Sequence, residues 1–315
     1  MDNKMVSVLG ALAVLLIIFA VIMFGLGTTE ALGPFNFSVD QATLPLRFFF
    51  VVVGVAIAFA VYYFTKENPI WEVGTRQVVY MAIGAALYAI FSYLFNGTVF
   101  VVPSVSQVAL RPAIAIPMFF GFAFGPTVGF FTGAVGNMFG DALTGFGLSP
   151  QWSIGNGLVG FISGLVFLFK DKKKSMDTVM YVGGALALLT VLLYFLNPNQ
   201  ANMLFYDVDN GIFGDAQISP FAAISIIIGF VLVLAVRFGF AKNEEVAAAV
   251  MWGMLGNILG IGFAAISDIW INGFSLPATI VGQFLPAAGP NLIFAAVLVP
   301  LLVGAYAAVQ RQSGR

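Results

Sequence analysis

Residues 46–65 read LRFFFVVVGVAIAFAVYYFT, a run in which only Arg47 is charged. A helix rises about 1.5 Å per residue and the hydrocarbon core of a bilayer is about 30 Å thick, so this run is long enough to cross it. The rest of the chain has the same character: of 315 residues, 60% are hydrophobic, 9% are charged and 34 are Phe. Soluble domains carry roughly 25% charged residues, so a water-soluble enzyme is excluded. Disorder is excluded as well, because disordered chains are charged and poor in aromatics. The composition defines an all-α polytopic membrane protein.

The same length rule places spans at residues 5–27, 76–96, 176–197, 221–240, 245–267 and 285–310. Between 108 and 169, Gly and Pro interrupt the apolar pattern; division at Gly125-Pro126 gives 108–124, 127–143 and 152–169, the first two short for full spans. Ten membrane segments are expected. The first apolar run exceeds the roughly 7–15 residues of a secretory signal, so it is expected to remain as an anchor helix. With the N-terminus inside, the inner loops and ends receive Lys4, Lys66, Arg76, Lys170, Lys172, Lys173, Lys174, Arg237, Lys242, Arg311 and Arg315, and the outer side only Arg47 and Arg111. Basic loops stay cytoplasmic, so a plasma-membrane protein with both termini inside is expected.

Little chemistry is available for catalysis. The chain has no Cys and no His, and its net charge is −1. That removes thiolates, imidazole ligands and a basic field for nucleic acid. No Gly-x-x-x-x-Gly-Lys-[Ser/Thr] occurs, so the chain is not itself a P-loop ATPase. No enzyme activity, cofactor, metal or nucleic-acid partner is expected. The Lys170–Lys174 charges read as a topology anchor.

Gly136-Asn137-Met138-Phe139-Gly140 is echoed by Gly256-Asn257-Ile258-Leu259-Gly260. Asp141 follows the first copy and Asp268 the second, and Asn156 and Asn291 come later in each. Either the chain holds a parallel repeat or Gly and Asn recur in a Gly-rich membrane sequence. In both cases polar groups gather toward the outer ends of spans, where they usually face a bundle interior or an aqueous cavity. The candidates for substrate binding are Arg111, Asn137, Asp141, Trp152, Asn156, Asn257, Asp268 and Asn291. Gln107, Gln151 and Gln283 lie in or beside the outer loops, and Tyr93 and Trp270 are further aromatic candidates. Competing structural roles exist: the Trp as interfacial belt residues, the Asn as interhelical hydrogen-bonding groups, and Arg111 and Asp141 as a bridge to each other. Arg111 suits a carboxylate or phosphate, and the Asn amides suit a heterocycle edge of mixed polarity. A lid from residues 96–107 and 269–283 is expected above the pocket.

Arg111-Pro112-Ala113-Ile114-Ala115-Ile116-Pro117, then Phe124-Gly125-Pro126-Thr127-Val128-Gly129, Gly136-Asn137-x-x-Gly140-Asp141 and Pro150-x-Trp152-Ser153-Ile154-Gly155-Asn156-Gly157-Leu158-Val159-Gly160 resemble the substrate-binding S component of energy-coupling-factor (ECF) vitamin transporters. The likeness covers residues 77–169 well and 246–310 more loosely. It implies a six-helix binder that captures a vitamin-like ligand from outside. It also implies partnership with a coupling membrane subunit and two cytoplasmic ATPases. A small-residue stripe on the family's first helix packs against the coupling subunit; Ala82, Ala85, Ala86 and Ala89 fit that stripe. Small residues four apart permit close helix approach, which an intramolecular contact would use equally.

The chain departs from that pattern by two added helix pairs. The expected organisation is residues 1–70 as an added pair and linker, 71–169 as core helices one to four, 170–244 as an inserted pair, and 245–315 as core helices five and six. The charged stretch 66–76 with Pro69 reads as a linker, so a chain beginning near Trp71 is expected to fold and bind. The alternative function is a self-sufficient secondary transporter. Asp141 and Asp268 toward the outer helix ends weigh against that alternative, since ion-coupled carriers place ionisable groups near mid-membrane.

Overall fold

In hydrocarbon every backbone N–H and C=O has to be satisfied within its own segment, so each apolar run takes the helical form. A computed structural model describes residues 3–28, 32–96, 101–102, 104, 108–145, 147–197, 206–207, 212–213, 218 and 220–314. Its long elements are α1 (Asn3–Ala20, continued by a π-turn, Val21–Leu26), α2 (Leu44–Thr65), α3 (Thr75–Asn96), α4 (Ala115–Phe124), α5 (Pro126–Thr144) and α6 (Pro150–Gly164). They are followed by α7 (Lys172–Leu196), α8 (Phe221–Gly239), α9 (Glu244–Ile271), a short α10 (Leu276–Thr279), a π-turn (Ile280–Phe284) and α11 (Leu285–Gln312). Eight helical stretches among the described residues are long and apolar enough to cross a membrane, the last running from Leu276 to Gln312. With the interrupted α4 and α5 there are ten helical segments in the expected order.

Several boundaries differ from the sequence reading: α4 begins only at Ala115, after a short strand at Val108–Ala109 and a 3-10 turn, and α7 begins at Lys172 instead of Met176. Helix α9 runs on to Ile271, past the expected end at Ser267, and the last span begins at Leu276 instead of Leu285. Within the expected lid, Ser275 caps α10 by accepting from the Ala278 N–H at 3.2 Å, with Pro277 in the first turn. Ser before Pro is a helix start. The second half of the expected lid is therefore largely helix. Of the first half, residues 97–100, 103 and 105–107, Gln107 included, lie outside the described residues; Val101–Val102 pairs antiparallel with Val108–Ala109.

Glycines set the packing at the centre. A Cβ on Gly160 of α6 would lie 2.2 Å from the Gly129 carbonyl oxygen of α5, and one on Gly121 of α4 would lie 1.9 Å from the Gly160 carbonyl oxygen. Three helices thus meet backbone to backbone, the contact that small residues make possible in membranes. Gly125 turns α4 into α5 at φ +106°, a conformation side-chain-bearing residues rarely adopt. The echoed glycines also pack helices: Gly136 against Ala85 and Tyr88 of α3, and Gly256 against Val159 of α6.

The added pairs are woven into this body. Val8, Leu15, Phe19, Val51 and Tyr62 of α1 and α2 share one buried cluster with Phe130, Met138, Leu158 and Phe161 of α5 and α6. Trp71, in the stretch read as a linker, is completely buried. Its ring sits between Tyr62 and Phe161, with centroids 5.5 and 5.8 Å away, and its Nε1 donates to the Thr65 carbonyl at 3.0 Å. Helices α7 and α8 likewise share a buried cluster with α9 and α11.

The stripe on α3 divides. Ala82 and Ala86 face outward, while Ala85 and Ala89 are buried, each 7% exposed. Gly136 and Gly140 of α5 approach the Ala85 and Ala89 backbone. Only Ala82 and Ala86 remain open to a partner, because adjacent helix positions such as 85 and 86 point about 100° apart.

Candidate functional site

Antiparallel succession brings the starts of α2, α4, α6 and α11 to the same end of the bundle as the ends of α5 and α9. Polar side chains at or beside the ends of α2, α4, α5, α6 and α9 gather there. Arg111 precedes the 3-10 turn Pro112–Ile114 that leads into α4. Its Nη1 donates to Asn137 Oδ1, and its Nη2 lies 3.4 Å from Asp141 Oδ1. One turn separates Asn137 from Asp141 on α5, and the Asn137 amide donates to Asp141 Oδ2 at 2.7 Å and to Ser153 Oγ of α6 at 3.2 Å. Asn137 and Ser153 are both fully buried. Beside this group Tyr88 of α3 donates to Asn156 Oδ1 at 2.8 Å, and the Asn156 amide donates to the Trp152 carbonyl.

A second group begins on the other face of α6. Gln151 Nε2 donates to Asp268 Oδ1 and Trp152 Nε1 to Asp268 Oδ2, each at 2.9 Å. Arg47 of α2 joins through Nη1 to Gln151 Oε1 at 3.1 Å and Nη2 to Asn272 Oδ1 at 3.4 Å. Its Nε donates to Thr43 Oγ1 at 2.8 Å, and the Thr43 hydroxyl in turn donates to Asp40 at 2.7 Å. Asp40, outside the spans, is held below the usual carboxylate range by the Thr43 hydroxyl and the Ala42 N–H. Arg47 and Asp268 are 8% and 1% exposed. Adjacent residues Gln151, Trp152 and Ser153 thus tie both groups to the first turn of α6.

Five of the expected residues come together in this way with Asp268: Arg111, Asn137, Asp141, Trp152 and Asn156. Asn257 and Asn291 do not join. They pair with each other, Asn291 Nδ2 donating to Asn257 Oδ1 at 3.0 Å, and Asn257 Nδ2 donates to the Ala288 carbonyl at 2.9 Å. Eleven positions of α9 separate Asn257 from Asp268, about 16 Å of helix rise. They act as an interhelical clip between α9 and α11. Trp270 and Tyr93 are 59% and 46% exposed; Trp270 leans on Phe50 on the outer surface, centroids 5.8 Å apart. A cleft of about 340 Å³ at the opposite end, lined among others by Arg76, Tyr80, Phe124 and Tyr306, contains none of the expected residues.

Sequence reasoning missed Arg47, Tyr88, Ser153 and Asn272. Arg47 carried a signal, a single cation one turn after Thr43 in an otherwise apolar span. It was read only as an outer-loop charge. The segment that covers this end was missed too. Between α1 and α2, the Asn36 N–H and Nδ2 donate to the Ala142 and Gly145 carbonyls, each at 2.8 Å, and the Leu148 N–H donates to the Ser38 carbonyl at 2.8 Å. Phe35 and Phe37 pack edge-on against Phe139. This connector, with no hydrophobic period of its own, lies over the turn between α5 and α6.

Residues 72–199 match the family model described as ECF-type riboflavin transporter, S component. A UPF0397 protein of Vibrio atlanticus is 30% identical over 176 residues, 55% of this chain and 91% of its own length. UPF0397 proteins of Aliivibrio fischeri and Aliivibrio salmonicida are 32% and 37% identical over 126 and 94 residues. These stretches cover 40% and 30% of this chain, and 66% and 49% of the respective relatives. No solved structure matches.

Proposed function

Because this chain belongs to the ECF S-component family, together with the UPF0397 proteins, we propose that it captures riboflavin or a closely related uncharged vitamin at the Arg111–Asp268 end of the bundle. Family membership supports a role as the substrate-binding subunit of a vitamin transporter. The ligand, its outward-facing capture and delivery to a coupling subunit with two ATPases are the proposal. The excess of Lys and Arg in the loops at the end of the bundle opposite Arg111 and Asp268 supports an outward-facing site, since basic loops stay cytoplasmic.

The observation that carries the reading is the buried polar network joined across the first turn of α6. Ionisable groups in a membrane interior are costly and mark substrate paths. A few placed polar groups among apolar helices are the usual form of a small-ligand site. Charge narrows the ligand class. The Arg111 fork is occupied by Asn137 and Asp141, and Arg47 is linked to Asp268 through Gln151. Neither group therefore offers a free cation, which favours an uncharged ligand over the carboxylate or phosphate that Arg111 alone would suggest. Riboflavin, uncharged and carrying a heterocyclic imide and hydroxyls, fits that field.

Titration of riboflavin with detergent-purified protein, read by quenching of flavin fluorescence, tests this directly. Saturable binding with one site per chain is expected. Absence of saturable binding overturns the ligand assignment. Co-purification with a coupling subunit and paired ATPases, expected to yield a stable complex, tests the transport partners separately.

A further inference from the structure

The last span opens with polar atoms that have nothing to bond. Thr279 Oγ1 and both amide atoms of Gln283 are buried without a hydrogen-bond partner. Both side chains have 0% exposure. They stand four positions apart where the helix changes from α to π winding at Ile280. Single π-turns within helices are frequent at functional sites. Unsatisfied buried polar groups are rare in folded proteins, and each one calls for a cause.

Gln283 lies close enough to Asp268 to interact with its carboxylate, but no hydrogen bond of good geometry joins them. Each Asp268 oxygen accepts a 2.9 Å bond, one from Gln151 and one from Trp152. Gln151 is in turn held from behind by Arg47 of α2. The Gln283 amide, which makes no hydrogen bond of its own, presents a donor and an acceptor side by side. The complementary group offers an acceptor and a donor side by side, as the amide or imide edge of a heterocycle does.

We propose that Gln283, with Thr279 one turn before it and Trp152 and Asp268 alongside, forms a subsite that reads the amide or imide edge of an uncharged heterocyclic ligand. In the same proposal α2 belongs to this subsite through Arg47, the positioning residue for Gln151. The inference rests on the ligand-binding reading above and extends it to residues 47 and 283, outside the segment 72–199 matched by the S-component model. Leaving a hydrogen-bonding site unfilled is tolerated where the ligand fills it, at some expense in stability of the empty protein.

Two measurements on the full chain test the proposal. In the first, riboflavin is compared with its N3-methyl derivative, which keeps the ring and loses the imide N–H. Wild type is expected to bind the methylated compound at least tenfold more weakly. Gln283→Leu is expected to bind riboflavin at least tenfold more weakly and to lose most of this discrimination. Equal discrimination in wild type and variant overturns the subsite. In the second, the unfolding midpoint of the ligand-free protein is compared for wild type and Gln283→Leu. A midpoint that rises in the variant supports an amide waiting for a ligand. A midpoint that falls shows a structural partner and overturns the proposal. This second arm needs no ligand, so failure of wild type to bind riboflavin counts against the ligand identity and leaves the subsite to be decided by stability. Arg47→Lys and Arg47→Gln add a third readout: Lys, keeping the charge, is expected to retain more affinity than Gln, and equal affinity in all three removes Arg47 from the subsite.

Discussion

Replacing Asp141 with Ala leaves Arg111 at the edge of the bundle without its carboxylate, with Asn137 and Tyr88 still beside it. Two interactions go: the 2.7 Å bond from the Asn137 amide and the 3.4 Å ion pair with Arg111. A buried hydrogen bond to a charged group contributes about 1.5–3 kcal/mol. The ion pair is long, and its side chains keep 18% and 15% of their surface, so solvent screening reduces its share to about 1 kcal/mol or less. The expected loss is about 2–4 kcal/mol. Arg111→Leu is expected to cost a similar amount, because it leaves the Asp141 carboxylate with only one donor from the network. Removing both charges together avoids the stranded partner, so the double variant should be more stable than the sum of the singles predicts by about 1–3 kcal/mol. Unfolding in mixed micelles, followed by Trp fluorescence, measures all four proteins. Additivity within about 0.5 kcal/mol would refute the coupling. Riboflavin affinity measured in the same set separates a structural bridge from a ligand contact: a bridge leaves the affinity of the folded fraction unchanged, and a contact lowers it at least tenfold.

The other predictions follow from packing. Gly160→Ala should destabilise by several kcal/mol, because the added Cβ meets the Gly129 carbonyl oxygen at 2.2 Å; Gly10→Ala, with nothing within 4 Å, is the control and should be neutral or slightly stabilising in the same unfolding assay. A chain beginning at Trp71 is expected to aggregate, since it loses Tyr62 and Arg47 and bares the α6 face on which α2 packs; a monodisperse, ligand-binding product in size-exclusion chromatography would contradict this. Ala86→Trp, on the open face of α3, should block co-purification with a coupling subunit while preserving riboflavin binding. Ala85→Trp, on the buried face, should lower folded yield instead. Asn257→Leu alone should cost about 1–3 kcal/mol by orphaning Asn291, and the Asn257→Leu, Asn291→Leu pair should recover part of it; equal stability of single and wild-type proteins in the micelle assay would refute the clip.

The class of the protein and the order of its ten segments were legible from local sequence, because crossing a bilayer is a demand on each run of about 20 residues separately. The resemblance carried by Phe124-Gly125-Pro126 and Pro150-x-Trp152 was also local, a matter of turn glycines and helix starts at fixed spacing. Charge placement was legible for the same reason: Arg111 and Asp141 are conspicuous in an apolar chain whatever they touch. Which polar groups meet was another matter. Asn137 and Asn257 sit in nearly identical sequence, yet one joins Arg111 and the other clips α9 to α11. Arg47 and Asp268 are linked through Gln151 across a sequence separation of more than two hundred residues, and Ala85 and Ala86 part company because one helix turn faces α5 and the next position faces outward. Helix formation in a membrane is decided within each segment by its own backbone bonds and hydropathy. Helix neighbourhood is decided by complementary close contacts between segments, so only the tertiary structure could assign partners to the polar groups and bring Arg47 of the added pair beside Gln151.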